Sequence, residues 1–122
     1  MTEERLALGR WGEDQAAKFL RKKRFKIVER NFTCRLGEID IIARDKDSLV
    51  FVEVKTKFGP GHPPPRYSVN LRKQRQIIRV AKYYLKRLDN PEPRCRFDVI
   101  EIIAGEGKCP EKIVHLPGAF RV

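Results

Sequence analysis

Three acids stand in this chain where water-avoiding residues are expected: Glu13 inside an N-terminal helical pattern, Asp40 in Gly37-Glu38-Ile39-Asp40, and Glu53 in Leu49-Val50-Phe51-Val52-Glu53-Val54-Lys55. Carboxylates crowded together must either take up protons or hold a cation. With Lys55 as the one cation on the same short run, a divalent ion is the natural partner. Mg²⁺, or Mn²⁺ in its place, prefers oxygen ligands and keeps several waters, so Glu13, Asp40 and Glu53 read as metal ligands with a phosphate completing the shell. Such an ion polarises a phosphoryl oxygen and acidifies bound water. Lys55 would orient or deprotonate that water, or neutralise charge developing on the phosphorane. Glu13, Asp40, Glu53 and Lys55 are therefore the candidate catalytic residues. The competing reading is a set of ordinary salt bridges at charged strand ends, and it weakens once the misplaced Glu13 and Asp40 are counted with the other two.

These side chains need a helix and two strands to bring them together. From Glu3 to about Lys23, Leu6, Gly9, Glu13, Ala16, Ala17 and Leu20 follow helical spacing, with Glu13 in the middle of the stripe. The β-branched run 49–55 reads as a strand, and alternation places Leu49, Phe51, Glu53 and Lys55 on one face. Residues 38–43 form a second strand candidate. The polar segment 44–48 is of hairpin length, so antiparallel pairing would carry Asp40 to the Glu53/Lys55 face. Glu38 shares Asp40's face by the same alternation and reads as a turn or edge residue beside Gly37.

Residues 25–32 read as an edge strand after the helix, and Thr56 to Tyr67, with Gly59-Pro60-Gly61 and Pro63-Pro64-Pro65, as a loop that either closes over substrate or merely connects. From about Asn70 to Leu88 a second helix carries an apolar stripe of Leu71, Ile77, Ile78, Ala81, Tyr84, Leu85 and Leu88. Its other face holds Arg72, Arg75, Arg79, Lys82 and Lys86. That cationic face is a candidate nucleic-acid contact, against the alternative of a merely solvated surface. Residues 94–103 and 113–116 complete an order of α-β-β-β-α-β-β. A helix between strands three and four permits a parallel crossover, so a mixed sheet flanked by helices is expected.

Composition narrows the partners. The 122 residues suit one domain, 1–122, and 27 Lys and Arg against 16 acids give a net charge of +11, which favours phosphate backbones. No apolar run approaches the roughly 20 residues of a membrane span, and the N-terminus lacks the pattern of a signal peptide, so a cytoplasmic protein without membrane contact is expected. Cys34, Cys95 and Cys109 lack paired spacing, and His62 and His115 are their only histidine companions, so they read as ordinary thiols.

Taken together, Gly9 with Gly12-Glu13, Arg30-Asn31, Gly37-Glu38-Ile39-Asp40, Phe51-Val52-Glu53-Val54-Lys55 and His115-Leu116-Pro117 with Ala119-Phe120 resemble the bacterial YraN family. That family is similar to archaeal Holliday-junction resolvases within the PD-(D/E)xK nuclease superfamily. The resemblance runs from about Arg5 to Phe120. It implies a restriction endonuclease-like α/β fold, with Asp40 as the superfamily aspartate, Glu53 and Lys55 as the ExK pair, and Glu13 as the helix glutamate that resolvases add to the metal site. Ile39 replaces the proline of the motif, and the Q-x-x-x-Y element of RecB-like members is absent. The implied activity is Mg²⁺-dependent hydrolysis of DNA phosphodiesters, with branched or junction DNA as a candidate substrate and a homodimer as a candidate assembly. The alternatives are a non-catalytic nucleic-acid-binding module of the same fold and an adaptor that docks an acidic protein on the basic helix.

Overall fold

In the computed structural model, which describes residues 2–89 and 93–122, Thr2 caps the first helix by accepting a hydrogen bond from Arg5 N at 3.2 Å. Helix α1 spans Glu3–Lys22, with Glu3 and Glu4 at its positive end and Arg21 and Lys22 at its negative end. The chain then runs through β1 (Lys26–Cys34), β2 (Gly37–Asp45), β3 (Ser48–Phe58), a 3₁₀ turn at Pro65–Tyr67, α2 (Leu71–Leu85), β4 (Arg94–Ala104) and β5 (Lys112–Phe120). The order matches the expected α-β-β-β-α-β-β. Strands outgrow their sequence patterns mostly where polar residues continue a ladder, as Thr56-Lys57-Phe58 extend β3 beside β4. The expected 56–67 loop is thereby shortened at its start.

The five strands stand in the order β1-β2-β3-β4-β5. β1–β2, β2–β3 and β4–β5 pair antiparallel, and β3–β4 pair parallel across the α2 crossover. The result is a mixed α/β sheet of the class expected, consistent with a restriction endonuclease-like fold. β1 lies at one edge. The β2–β3 hairpin closes tightly, with Asp45 opposite Ser48 and Lys46 at a φ of 55°.

Each helix covers one face. Ala16, Ala17 and Leu20 of α1 pack on Ile41, Ala43, Val50, Val52, Ile100 and Ile102. Ile77, Val80, Ala81 and Tyr84 of α2 pack on Ile39, Ile42, Leu49, Phe51, Phe97 and Val99. Full burial of a side chain such as Leu20 stabilises the fold by about 1.5–3 kcal/mol. Two residues of the expected helical stripes depart from them. Leu6 is 45 % exposed and Leu71 64 % exposed, because each lies in the first turns of its helix, beyond the reach of the sheet. Small residues set the approach of α1: a Cβ on Gly12 would overlap the Thr56 side chain, so glycine lets the helix lie against β3. No helix among the described residues is long and apolar enough to cross a membrane.

Candidate active site

Glu53 follows Leu49 and Phe51 on the α2 side of β3, and only 6 % of it is exposed. Asp40 reaches it through an interruption in β2. Ile39 and Ile42 face the α2 core whereas Ile41 and Ala43 face the α1 core, so regular alternation breaks between residues 39 and 41. The β2–β3 ladder ends at the Ile41–Val52 pair. Beyond it, Asp40 Oδ2 accepts a hydrogen bond from Val54 N at 2.8 Å, replacing the lost ladder bond and pinning the carboxylate where the strands part. The break also corrects the reading of Glu38. It lies on the strand rather than in a turn, is exposed, accepts a hydrogen bond from Thr33 at 3.3 Å, and does not share a regular face with Asp40.

Burial raises the Glu53 carboxyl to about 8, and the charge of Asp40 and a hydrogen bond to it add to the shift. Lys73 and Lys55 oppose it. Lys55 Nζ lies 3.7 Å and Lys73 Nζ 3.9 Å from Glu53 Oε2. The site therefore favours the protonated form of Glu53 well above the pH at which an exposed glutamate ionises.

Glu13 approaches from the other face. Burial raises its carboxyl to about 7, with Asp40 and Glu38 adding to the rise and a hydrogen bond from Asn31 and the charge of Arg30 opposing it. Asn31 sits within β1 in the left-handed region, at a φ of 53°. Arg30 Nη2 is engaged at 2.7 Å by Asp14. The three acids thus converge from both faces of the sheet on the opening at Asp40, not on one face. Among the described residues, no three His, Cys, Asp or Glu side chains are gathered closely enough to form a metal cage. Asp40 and Glu53 form the close pair, and Glu13 acts on it through charge.

The five predicted basic residues of α2 are all exposed. Arg72 and Arg79, with Asn70, Lys73 and Gln76, line a groove of about 410 Å³, whereas Arg75, Lys82 and Lys86 lie outside it. Lys73 links this groove to Glu53. The sequence pattern carries a signal for it, since Lys73 lies on the stripe of Ile77, Val80 and Tyr84, a cation at a core-facing position. Lys55, the one cation of its own run, is thus joined at the site by a second from α2.

Two further buried acids have structural partners. Asp98 is fully buried; burial alone would raise its carboxyl, but hydrogen bonds from His115, Arg96 and Gly118 N more than offset this and leave it below the usual range. His115 Nε2 lies 2.8 Å from Asp98, and its ring packs edge-on against Phe19 and Phe25. Glu101 is held by Lys57 at 2.5 Å and by Ser68. The three cysteines are free.

The family model described as Uncharacterised protein family UPF0102 matches residues 12–102, a span containing Glu13, Asp40, Glu53, Lys55 and Lys73. A UPF0102 protein of Syntrophotalea carbinolica is 49% identical over 124 residues, covering 100% of this chain and 98% of that relative. A second, from Geobacter metallireducens, is 46% identical over 95% of this chain and 93% of its own length. A third, from Rhodococcus opacus, is 44% identical over 94% and 97%.

Proposed function

The chain belongs to the UPF0102 (YraN) family, and because membership carries no reaction with it, we propose from the site itself that the protein is a Mg²⁺- or Mn²⁺-dependent phosphodiesterase acting on DNA. The observation that carries this reading is the pairing of buried Glu53 with half-buried Asp40, flanked by Lys55 and Lys73 at the opening between β2 and β3. Paired carboxylates are costly to bury, and such pairs mark functional sites more often than structural ones. The donors fit a hard cation: both are carboxylates, and Mg²⁺ is commonly held by one or two carboxylates together with substrate phosphates and water. Glu13 would add negative potential from the α1 side.

When bound, the ion would supply Lewis acidity at the phosphoryl group and a more acidic water. The chain's own residues do the rest. Val54 N–H fixes the orientation of Asp40, and the low-dielectric surroundings of Glu53 strengthen its interaction with a cation. Lys55, the more solvent-accessible neighbour of Glu53 on its own strand, would orient or deprotonate the attacking water or offset charge growing on the phosphorane. The net charge of +11 and the groove of Arg72, Lys73 and Arg79 support DNA as the polyanion. Free thiols fit a reducing, cytoplasmic setting.

Lys55→Ala tests the reading. The variant is expected to keep its fold and most of its DNA affinity but to cut branched, flap, single-stranded or duplex DNA about 10² to 10⁴ times more slowly with either ion. A second reading, a non-catalytic nucleic-acid-binding module, draws on the lack of a ready three-ligand cage among the described residues. A folded parent that binds these DNAs and cleaves none would establish that module instead.

A further inference from the structure

We propose that the cavity between α1 and the far end of β3 receives an unpaired nucleotide, whose base lies on Phe58 while Arg5 and Arg10 hold its flanking phosphates. The inference rests on the phosphodiesterase reading and names the DNA that such an enzyme would select. The cavity is about 990 Å³, at the upper end of the roughly 300 to 1,000 Å³ usual for small-ligand sites. Its walls combine apolar Leu6, Leu8 and Phe58 with four cations, Arg5, Arg10, Lys55 and Lys57, which outnumber the two acids there, Glu13 and Glu38.

Phe58 is 62 % exposed and Leu6 45 % exposed. An exposed aromatic ring among arginines has the make-up of a single-strand platform, on which any base can stack and a basic rim tracks the backbone. Phe58 is also held firmly in place. It is the last residue of β3, in register with Ala104 of β4, and the next amide, Gly59 N, bonds Ala104 O at 3.0 Å. Inside duplex DNA both faces of a base are covered by its neighbours, so away from a duplex end an unpaired or extruded nucleotide is what can offer a face to this ring. The guanidinium groups favour an anionic strand over a neutral apolar peptide. Lys55 also lines the cavity and contacts Glu53, so the bound nucleotide would lie beside the carboxylate pair. Such an arrangement favours DNA in which one strand leaves the duplex, as at a flap, a tail or a junction.

The test is equilibrium binding in chelator, comparing a duplex bearing a short single-stranded tail with a blunt duplex of equal length. The parent should bind the tailed DNA more tightly. Phe58→Ala should weaken binding of the tailed DNA about 5- to 150-fold and leave the blunt duplex unchanged, while Phe58→Trp should retain the preference. Abasic tails should lose the same affinity, and the two losses should not add. Equal losses on both DNAs, abasic tails that bind as well as normal ones, or no binding of either DNA would overturn the inference. The outcomes separate it from the reading beneath it. Tail preference through Phe58 in a protein that cuts nothing removes only the phosphodiesterase, and cleavage that is indifferent to tails and to Phe58→Ala removes only the nucleotide site.

Discussion

The raised carboxyls of Glu53 and Glu13 make the stability of the protein depend on pH in a direction opposite to that of an ordinary salt-bridged carboxylate. Glu53 is raised from 4.5 to about 8 and Glu13 from 4.5 to about 7. Between those limits the unfolded chain has released protons that the folded one retains, so the stability these two groups contribute is fully present below about 4.5 and is lost as pH rises through the folded values. Metal-free protein should therefore melt at progressively lower temperature from mildly acidic to mildly alkaline pH, and Glu53→Gln should flatten that trend. Asp40→Asn and Glu53→Gln should each weaken Mn²⁺ binding in calorimetric titration while leaving metal-free stability unchanged or raised, because each relieves carboxylate repulsion. Unaltered Mn²⁺ affinity in both variants would place the ion elsewhere.

At the level of elements, the site depends on how closely α1 lies against β3. Gly12 immediately precedes Glu13, and a side chain there meets Thr56. Gly12→Ala should cost about 1–3 kcal/mol in denaturant unfolding, the range for overpacking a close contact. Adding Thr56→Ala, which removes Oγ1, the atom nearest that new methyl, together with Cγ2, should recover part of the loss. If Gly12→Ala is neutral, the helix can move outward at little cost. The second element dependence is the end of the β2–β3 ladder: had pairing continued past Ile41 and Val52, Val54 N–H would have a backbone partner in place of Asp40.

Across the whole molecule, the excess of positive charge has to act through a defined surface if it is to bind DNA productively. Arg72 and Arg79 share the groove that Lys73 connects to Glu53, whereas Lys82 lies in the last turn of α2 and Lys86 caps its end. The double reversal Arg72→Glu/Arg79→Glu should weaken DNA binding about equally for all sequences and flatten the slope of log affinity against log salt. Reversal of Lys82 and Lys86 should do less. Affinities measured across a salt series decide this, and slopes identical to the parent's for both double variants would move the DNA off α2.

Much of this was legible along the chain because it rests on local periodicity. Helical spacing located both helices, alternation placed Glu53 and Lys55 on one face of β3, and an acid at a core-facing helical position marked Glu13. The helix between strands three and four permitted a parallel crossover, and β3 and β4 do pair parallel. What periodicity does not encode is where a ladder stops. The irregularity at Asp40 replaces one backbone pair with a side-chain bond, and it alone lets acids from opposite faces of the sheet act on one another. Lys73 is a related case: its offset from the outward cationic face is visible in the helix, but its partner lies on β3 and depends on how α2 docks. The cavity beside Phe58 is of the same kind, since it exists only where α1 and the extended end of β3 leave a gap that neither segment's pattern describes.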